Sequence, residues 1–429
     1  MKEKIINLLR DHHIFLTGGA GVGKSYITNE IIADFRSKNK SVVALGSTGV
    51  SAVNIGGVTI HSFFIFGISA SLEELVHNDK RSKSRLKELK KIIEAADLII
   101  IDEISMVSAA LFDMIVYRLE SMRFRGRLLL VGDFYQLPPV ISSGGALFGE
   151  LLYAFESSSW KKIAPLNIEL TIMQRTSDAH FTQILSKIRQ GICDDDVRSI
   201  LNHLEQKSFP DNNTLYTHLY GTNALAENIN AKMLAALNAV EFTFVASIDT
   251  KTKINEKRLE GWIKNLPVNE VLKIKKGSPI LFCINKWGKF INGDRGVVHS
   301  IEEDCIIVEK DDVFVRVERH DFELSEISID GNGEIKQAAI ATFSQFPIKL
   351  AYAITIHKAQ GMSIDSLVCN VDRIFAPSQF YVAISRATNI EGLYIDFNGA
   401  DFESYMRRII HVDQRVDAFY ETLNDMIRY

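Results

Sequence analysis

The chain has 429 residues, 46% apolar and 24% charged, a balance that excludes disordered and fibrous proteins and leaves length for two or three cores. Its 49 basic and 53 acidic residues give a formal charge of −4, so no global positive field advertises a polyanion partner and any such site must be a local patch. The four cysteines, at 193, 283, 305 and 369, hold no close pair of the zinc or redox kind, the first ten residues lack a signal-peptide core, and no run reaches the roughly 18 apolar residues of a membrane span, which together point to a reducing intracellular setting.

In chain order, the apolar run Ile14-Phe15-Leu16 reads as a buried strand. It leads into Gly18-Gly19-Ala20-Gly21-Val22-Gly23-Lys24-Ser25-Tyr26 and a helix to about Phe35 with Ile27, Ile31 and Ile32 at helical spacing. Strand, glycine loop and helix form a phosphate cradle, because glycines let several backbone N–H groups face phosphate oxygens and the helix N-terminus favours negative charge. Lys24 then reaches the β- and γ-phosphates and Ser25 holds magnesium, so ATP and Mg2+ are the expected cofactors. Val42 to Leu45 reads as a second strand ending in Gly46-Ser47-Thr48-Gly49, and the C-terminal ends of parallel strands form the ligand edge of a sheet. Thr59 to Phe64 follows, with His61 and Phe63 beside hydroxyls; alone, it reads as core packing. The segment from 69 to 94 is polar and helical in pattern. Its stretch Lys80–Lys91 carries seven basic residues and one acid, the texture of a solvated face or of a phosphate-backbone contact.

Leu98 to Ile101 is a continuous apolar strand ending in Asp102-Glu103, the natural complement of a phosphate loop: Asp102 holds magnesium and Glu103 orients or deprotonates the attacking water. Leu128 to Val131 ends likewise at Gly132-Asp133 and continues as Phe134-Tyr135-Gln136-Leu137-Pro138-Pro139. The Gln136 amide can bond a γ-phosphate or a water, and the two prolines exclude helix. In the second half an amphipathic helix spans Asp178 to Gln190 and is closed by Gly191. Strand and helix alternate again from 218 to 237, with further strands at 347–353, 367–371 and 393–395, which makes a second parallel α/β layer. Between them, residues 269–344 turn to short β-like runs separated by turns such as Asn292-Gly293, a small inserted β-barrel. The tail 401–429 reads as helical, with Val416, Phe419, Leu423 and Met426 on one face packed on the body.

The ordered motifs resemble the petite-integration-frequency (PIF-type) DNA helicases of superfamily 1B. They comprise the Gly18–Ser25 loop, Thr59–Phe63, Ile101–Met106, Gly132–Pro139, Glu169–Arg175, Asn292–Gly296, Thr355–Gly361 and Gln379–Ala387. The resemblance covers residues 14 to about 398. It implies two RecA-like parallel-sheet domains, 1–165 and 166–268 with 345–400, and a Src-homology-3-like barrel at 269–344 lying over the DNA path. It also implies a 5′ to 3′ DNA helicase that moves on single-stranded DNA and unwinds forked or partial duplex, acting as a monomer, cytoplasmic if bacterial or phage. Carried over residue by residue, the catalytic set is Lys24, Asp102, Glu103, Gln136, Arg175 and Arg386, with Gly361 at the nucleotide. The DNA contacts are Thr48, Gly49, His61, Phe63, Phe134, Asn292, Gly293, Arg295, His357 and Lys358, and the 69–95 segment is a wedge. A translocase that remodels nucleoprotein without separating strands is the alternative. The family's adenine-reading N-terminal glutamine has no counterpart, since no glutamine precedes Gln136, and Gln174-Arg175 reverses the usual Arg-Gln order.

Overall fold

The computed structural model describes residues 1–429 except 68, 81, 140–151, 209–215, 253, 287, 330–334, 375, 377 and 424; Arg81 of the basic run therefore lies outside the described residues. The chain divides into two compact units. The first holds Met1–Ile172, Leu324–Ile340 and Asp413–Tyr429, and the second Met173–Glu323 and Ala341–Val412.

The first unit is built on a seven-stranded parallel sheet. Its strands are β1 (Ile14–Thr17), β2 (Val42–Gly46), β3 (Val58–Thr59), β4 (Leu98–Asp102), β5 (Arg127–Val131), β6 (Leu166–Glu169) and a final strand, Ile427–Arg428. From one edge to the other the order is Ile427–Arg428, β6, β1, β5, β4, β2, β3. The apolar runs in β1, β2 and β4 are buried along their whole length, which is how a parallel strand covered on both faces reads in sequence. Register places Leu16 beside Val131, Val131 beside Asp102 and Asp102 beside Gly46. Parallel pairing thus brings the C-terminal ends of the strands to one edge, and the loops that follow them emerge there together.

The polar 69–95 segment folds as two helices, Leu72–Asp79 and Lys83–Ala95, the first capped by the Ser71 hydroxyl accepting from the Glu74 N–H at 3.3 Å. Leu75, Leu89, Ile92 and Ile93 are its buried face. Arg118, 2% exposed on the Ala109–Ser121 helix, donates through both terminal nitrogens to Asp79 at 2.6 and 2.9 Å. A bidentate, charge-assisted pair of this kind fixes orientation as well as position.

The second unit carries a four-stranded parallel sheet in the order Ala353–Thr355, Thr217–Tyr220, Leu367–Asn370, Leu393–Asp396. The amphipathic helix runs from Ala179 to Arg189, capped by the Asp178 carboxylate accepting the Phe181 N–H at 2.9 Å and followed by Gly191 at φ 72°. The inserted β region forms a five-stranded antiparallel sheet ordered Val313–Glu318, Cys305–Lys310, Arg295–Ile301, Pro279–Phe282, Ile348–Leu350. Ile280, Phe282, Val298, Ile306, Val308 and Phe346 fill its core. The tail departs from the helical expectation. Helices occupy Phe402–Ile409 and Gln414–Glu421, but Ile427–Arg428 is a strand paired with β6. The edge of β6 offers unpaired backbone groups, and that pairing outweighs the helical spacing of Leu423 and Met426. Among the described residues no helix is long and apolar enough to cross a membrane.

Asp79→Ala strands the Arg118 guanidinium without its counter-charge and is expected to cost about 3 kcal/mol, read as an earlier urea midpoint. Combining it with Arg118→Met should recover most of that loss, since the buried charge goes too. An unshifted midpoint in the single variant would show that the pair carries no stability.

Candidate active site

The phosphate loop leaves β1 at Thr17. Gly18, Gly21 and Gly23 have φ of 142°, 82° and 86°, where side chains are strained, and a Cβ on Gly18 would stand 2.4 Å from the Leu170 carbonyl oxygen. Only glycine lets the loop pass that close to the exit of β6. The Lys24 ammonium donates to the carbonyls of Gly18 and Gly19 at 2.7 and 2.9 Å, so the loop holds the charge over itself. Ser25 and Tyr26 are exposed on the first turn of the Lys24–Ser37 helix.

Asp102 is the last residue of β4 and 6% exposed. Burial, and then the charge of Glu103, push its carboxyl up to about 8, opposed by Lys24. Glu103 itself has φ 54°, a left-handed conformation that costs a non-glycine residue of order 1 kcal/mol and is held by its surroundings. The local field favours a cation beside Asp102. The Ser25 hydroxyl and the Asp102 carboxylate are the hard oxygen donors that magnesium takes. Among the described residues no group of three or more His, Cys, Asp or Glu side chains could hold a metal. A hydroxyl and a carboxylate as donors suit an ion that keeps waters and takes substrate phosphates as further ligands.

On the adjacent strand, β5 releases Gly132 and the buried Asp133. The Asp133 carboxylate accepts the Tyr135 N–H at 3.2 Å and the Gln136 amide at 3.3 Å, which fixes the glutamine side chain beside the strand end. Phe134, expected on DNA, is instead 1% exposed. It packs in an aromatic core with Phe15, Phe155, Trp160 and Phe419 at ring separations of 4.8 to 5.7 Å. Phe63 is likewise interior, 7% exposed and edge-on to Phe64. Neither ring offers a face to a base; the apolar neighbours in each sequence motif bury these aromatics before a ligand can use them. His61 is exposed, and Thr48 caps the Gly49–Asn54 helix in a reciprocal pair with Ser51, each side chain accepting the other's N–H at 3.1 Å.

The second unit brings Arg175 and Arg386 together. Arg175 donates to the Ser363 hydroxyl at 2.9 Å and to the Ser385 carbonyl at 2.5 Å. Arg386, 2% exposed, donates to the Val382 carbonyl and the Ser385 hydroxyl, both at 2.9 Å. Burial and the Arg386 charge lower Arg175 to about 9. Sequence reasoning gave Ser363 and Ser385 no role, although Ser385 lies inside the Gln379–Ala387 motif and Ser363 two residues past Gly361. Gly293, at φ 97°, lies against the 362–363 backbone: a Cβ there would stand 2.9 Å from the Met362 Cβ and 3.0 Å from the Ser363 nitrogen. The Asn292 side-chain oxygen and the Gln360 side-chain nitrogen are buried without hydrogen-bond partners among the described residues. Arg295 turns inward toward the Tyr216 carbonyl, and burial lowers it to about 10, so it is not an open DNA contact. His357 and Lys358 are exposed after the Ala353–Thr355 strand, and Gly361, at φ 80°, follows them.

A family model described as PIF1-like helicase matches residues 3–199. The chain is 41% identical to the ATP-dependent DNA helicase Pif1 of Campylobacter jejuni, over 99% of this chain and 98% of that protein. It is 33% identical to the protein of the same name from Bdellovibrio bacteriovorus, over 97% and 90%. Against the human ATP-dependent DNA helicase PIF1 identity is 31%, over 97% of this chain and 62% of that protein. Among solved structures, Bacteroides sp Pif1 in complex with ADP-AlF4 superposes with TM-score 0.83 at 27% identity, covering 99% of this chain and 97% of that one. Bacteroides Pif1 bound to ssDNA gives TM-score 0.64 at 27% identity, covering 98% and 96%.

A raised Asp102 pKa means that the folded state holds this proton more tightly than the unfolded chain, so ionisation costs stability increasingly from about pH 4 up to about 8. In metal-free protein Asp102→Asn should therefore melt above wild type at pH 8, with the gap narrowing toward pH 5. A gap that widens on acidification would refute the assignment.

Proposed function

Since the chain belongs to the PIF1-like helicase family, we propose that it is an ATP-dependent DNA helicase that translocates 5′ to 3′ on single-stranded DNA and unwinds forked or partial duplex. The observation that carries this reading is the single sheet edge in the first unit. There the Gly18–Ser25 loop, the Asp102-Glu103 pair and the Gln136 amide leave neighbouring parallel strands. Phosphoryl transfer needs little covalent help from protein; it needs positioning and charge. Lys24 and the loop N–H groups bind the β- and γ-phosphates, Ser25 and Asp102 hold magnesium, Glu103 orients the attacking water, and Gln136 senses the γ-phosphate. Magnesium supplies charge neutralisation on the phosphate oxygens.

Arg175 and Arg386 belong to the second unit and Lys24 to the first. We assign the two arginines to completing the charge around the transferred phosphoryl group as the units close during turnover, a contribution worth about 10³ to 10⁵ in rate for arginines of this type. Coupling of this sort makes ATP hydrolysis drive motion. We assign sequence-tolerant strand contacts to Thr48, Gly49 and His61 in the first unit and to Asn292, Gly293, His357 and Lys358 in the second; of these His61, His357 and Lys358 are exposed, whereas Gly49 and Gly293 are buried and would offer backbone. We read the antiparallel sheet at 279–350 as the small Src-homology-3-like barrel over the DNA path. The relatives carrying the names ATP-dependent DNA helicase Pif1 support the activity, and the superposable chain bound to ssDNA supports the strand.

ATP hydrolysis by the full chain should rise about tenfold or more with a single-stranded oligonucleotide, and Lys24→Ala should abolish it; hydrolysis indifferent to DNA would sink the helicase reading. Polarity is read from streptavidin displacement. Release from a 3′-biotin end faster than from a 5′-biotin end fits 5′ to 3′ movement, and the opposite order refutes it. Displacement of streptavidin without separation of a forked duplex would favour the remodelling translocase. Arg175→Ala should lower kcat by about 10³ with ATP KM little changed.

A further inference from the structure

The last helix of the chain reaches into the first unit at a point the function above does not use. The Tyr420 hydroxyl lies 2.8 Å from the Thr17 hydroxyl, accepts the Phe134 N–H at 3.2 Å and stands 3.4 Å from the Asp133 carboxylate. Its ring stacks on Tyr135 at 4.6 Å and 11°. Thr17 is the residue before the phosphate loop, and Asp133 is the carboxylate that holds the Gln136 amide at 3.3 Å. One phenol has one proton and two lone pairs. Since a carboxylate only accepts, the phenol proton goes to Asp133, and the lone pairs take the Phe134 N–H and the Thr17 hydroxyl proton. Each of these three bonds joins Tyr420 to one of the two loops that flank the site.

The helix that carries it is well anchored. Phe419, the preceding residue, stacks on Phe155 at 4.2 Å and meets Phe134 and Trp160 at 5.5 and 5.9 Å. At its start, Arg415 pairs with Asp413 at 2.6 Å and with Glu156 at 3.7 Å, and the Tyr153 hydroxyl donates to Asp413 at 3.3 Å. Val416 is 1% exposed. A free helix would let the phenol sample many positions; this one has contacts on three sides.

We propose that Tyr420 is a positioning residue for ATP hydrolysis, a strut from the C-terminal helix that sets the distance between the phosphate loop and the Gln136 amide through Thr17 and Asp133. The proposal rests on the reading of Gln136 as the γ-phosphate sensor. The Asp133 carboxylate accepts from the Tyr135 N–H, the Gln136 amide and the phenol. Removing the phenol proton removes one of these and leaves two other groups of the strut, the Phe134 N–H and the Thr17 hydroxyl, to find new partners. Small displacements at a site of this type cost up to about 10²-fold in rate.

The test is a kinetic cycle on the full chain. Tyr420→Phe keeps the ring, its stack on Tyr135 and the aromatic core, and removes only the hydroxyl. DNA-stimulated kcat should fall about tenfold with ATP KM little changed, while the melting temperature drops by a few degrees as the buried Phe134 N–H and Thr17 hydroxyl lose their partner. In a Gln136→Ala background, which itself slows hydrolysis, Tyr420→Phe should cost nothing further, because a strut that acts through Gln136 has nothing left to position. Thr17→Val, which removes the hydroxyl at the other end, should reproduce the same kcat loss and the same lack of additivity. If Tyr420→Phe leaves kcat unchanged, or if its loss adds fully to that of Gln136→Ala, the strut is refuted while the sensor stands. If Gln136→Ala alone leaves kcat unchanged, the sensor falls and the strut with it.

Discussion

Parallel strand pairing in the first unit is the constraint on which the site depends. Because the seven strands run the same way, their C-terminal ends are levelled by backbone hydrogen bonds rather than by side-chain contacts. Asp102 stands beside Val131, and Val131 beside Leu16, only because the ladders between β4, β5 and β1 are in register. A slip of one residue would exchange the side chains packed on the two covered faces and move the Asp102 carboxylate off the edge. The phosphate loop, the carboxylate pair and the glutamine are therefore one consequence of a single backbone arrangement, and the apolar runs that specify it are also what buries Asp102 and raises its pKa.

Much of this was legible in the sequence because the signals were covalent neighbours. A glycine loop after an apolar strand and two carboxylates after another are each complete within about eight residues, and parallel topology then brings them to one edge. The DNA-facing aromatics were harder. Phe134 and Phe63 sit in motif strings but lie among Phe15, Phe155, Phe64 and other rings, and packing decides which face of an aromatic is available. Arg295 was carried over as a DNA contact from the family resemblance, yet at the start of its strand the side chain turns inward to the Tyr216 carbonyl. Burial of a long side chain depends on elements far away in the chain, and no local pattern encodes it.

The contacts that sequence reading missed share that property. Ser363 and Ser385 meet Arg175 across separations of 188 and 210 residues, and Tyr420 meets Thr17 across 403. Arg175 carried a signal, but its partners did not: a serine in or beside a motif and a tyrosine in a helical tail are ordinary residues. Their meaning comes from the fold. The tail illustrates this, since the spacing of Val416 and Phe419 was a sound guide to the buried face of its helix, whereas the strand at 427–428 owes its existence to the open edge of β6.

That edge pairing orders events during synthesis. The sheet of the first unit begins with residues 14–17, but its outermost strand is 427–428, and Phe419 fills the aromatic core around Phe134. Residues 173–323 and 341–412, the whole second unit, leave the ribosome before that strand is available. The first unit thus spends most of translation with β6 exposed as a sheet edge and its aromatic cluster incomplete. For that interval β6 is the surface on which a nascent chain of this protein is most open to mispairing with another strand, and the place where a chaperone would find it.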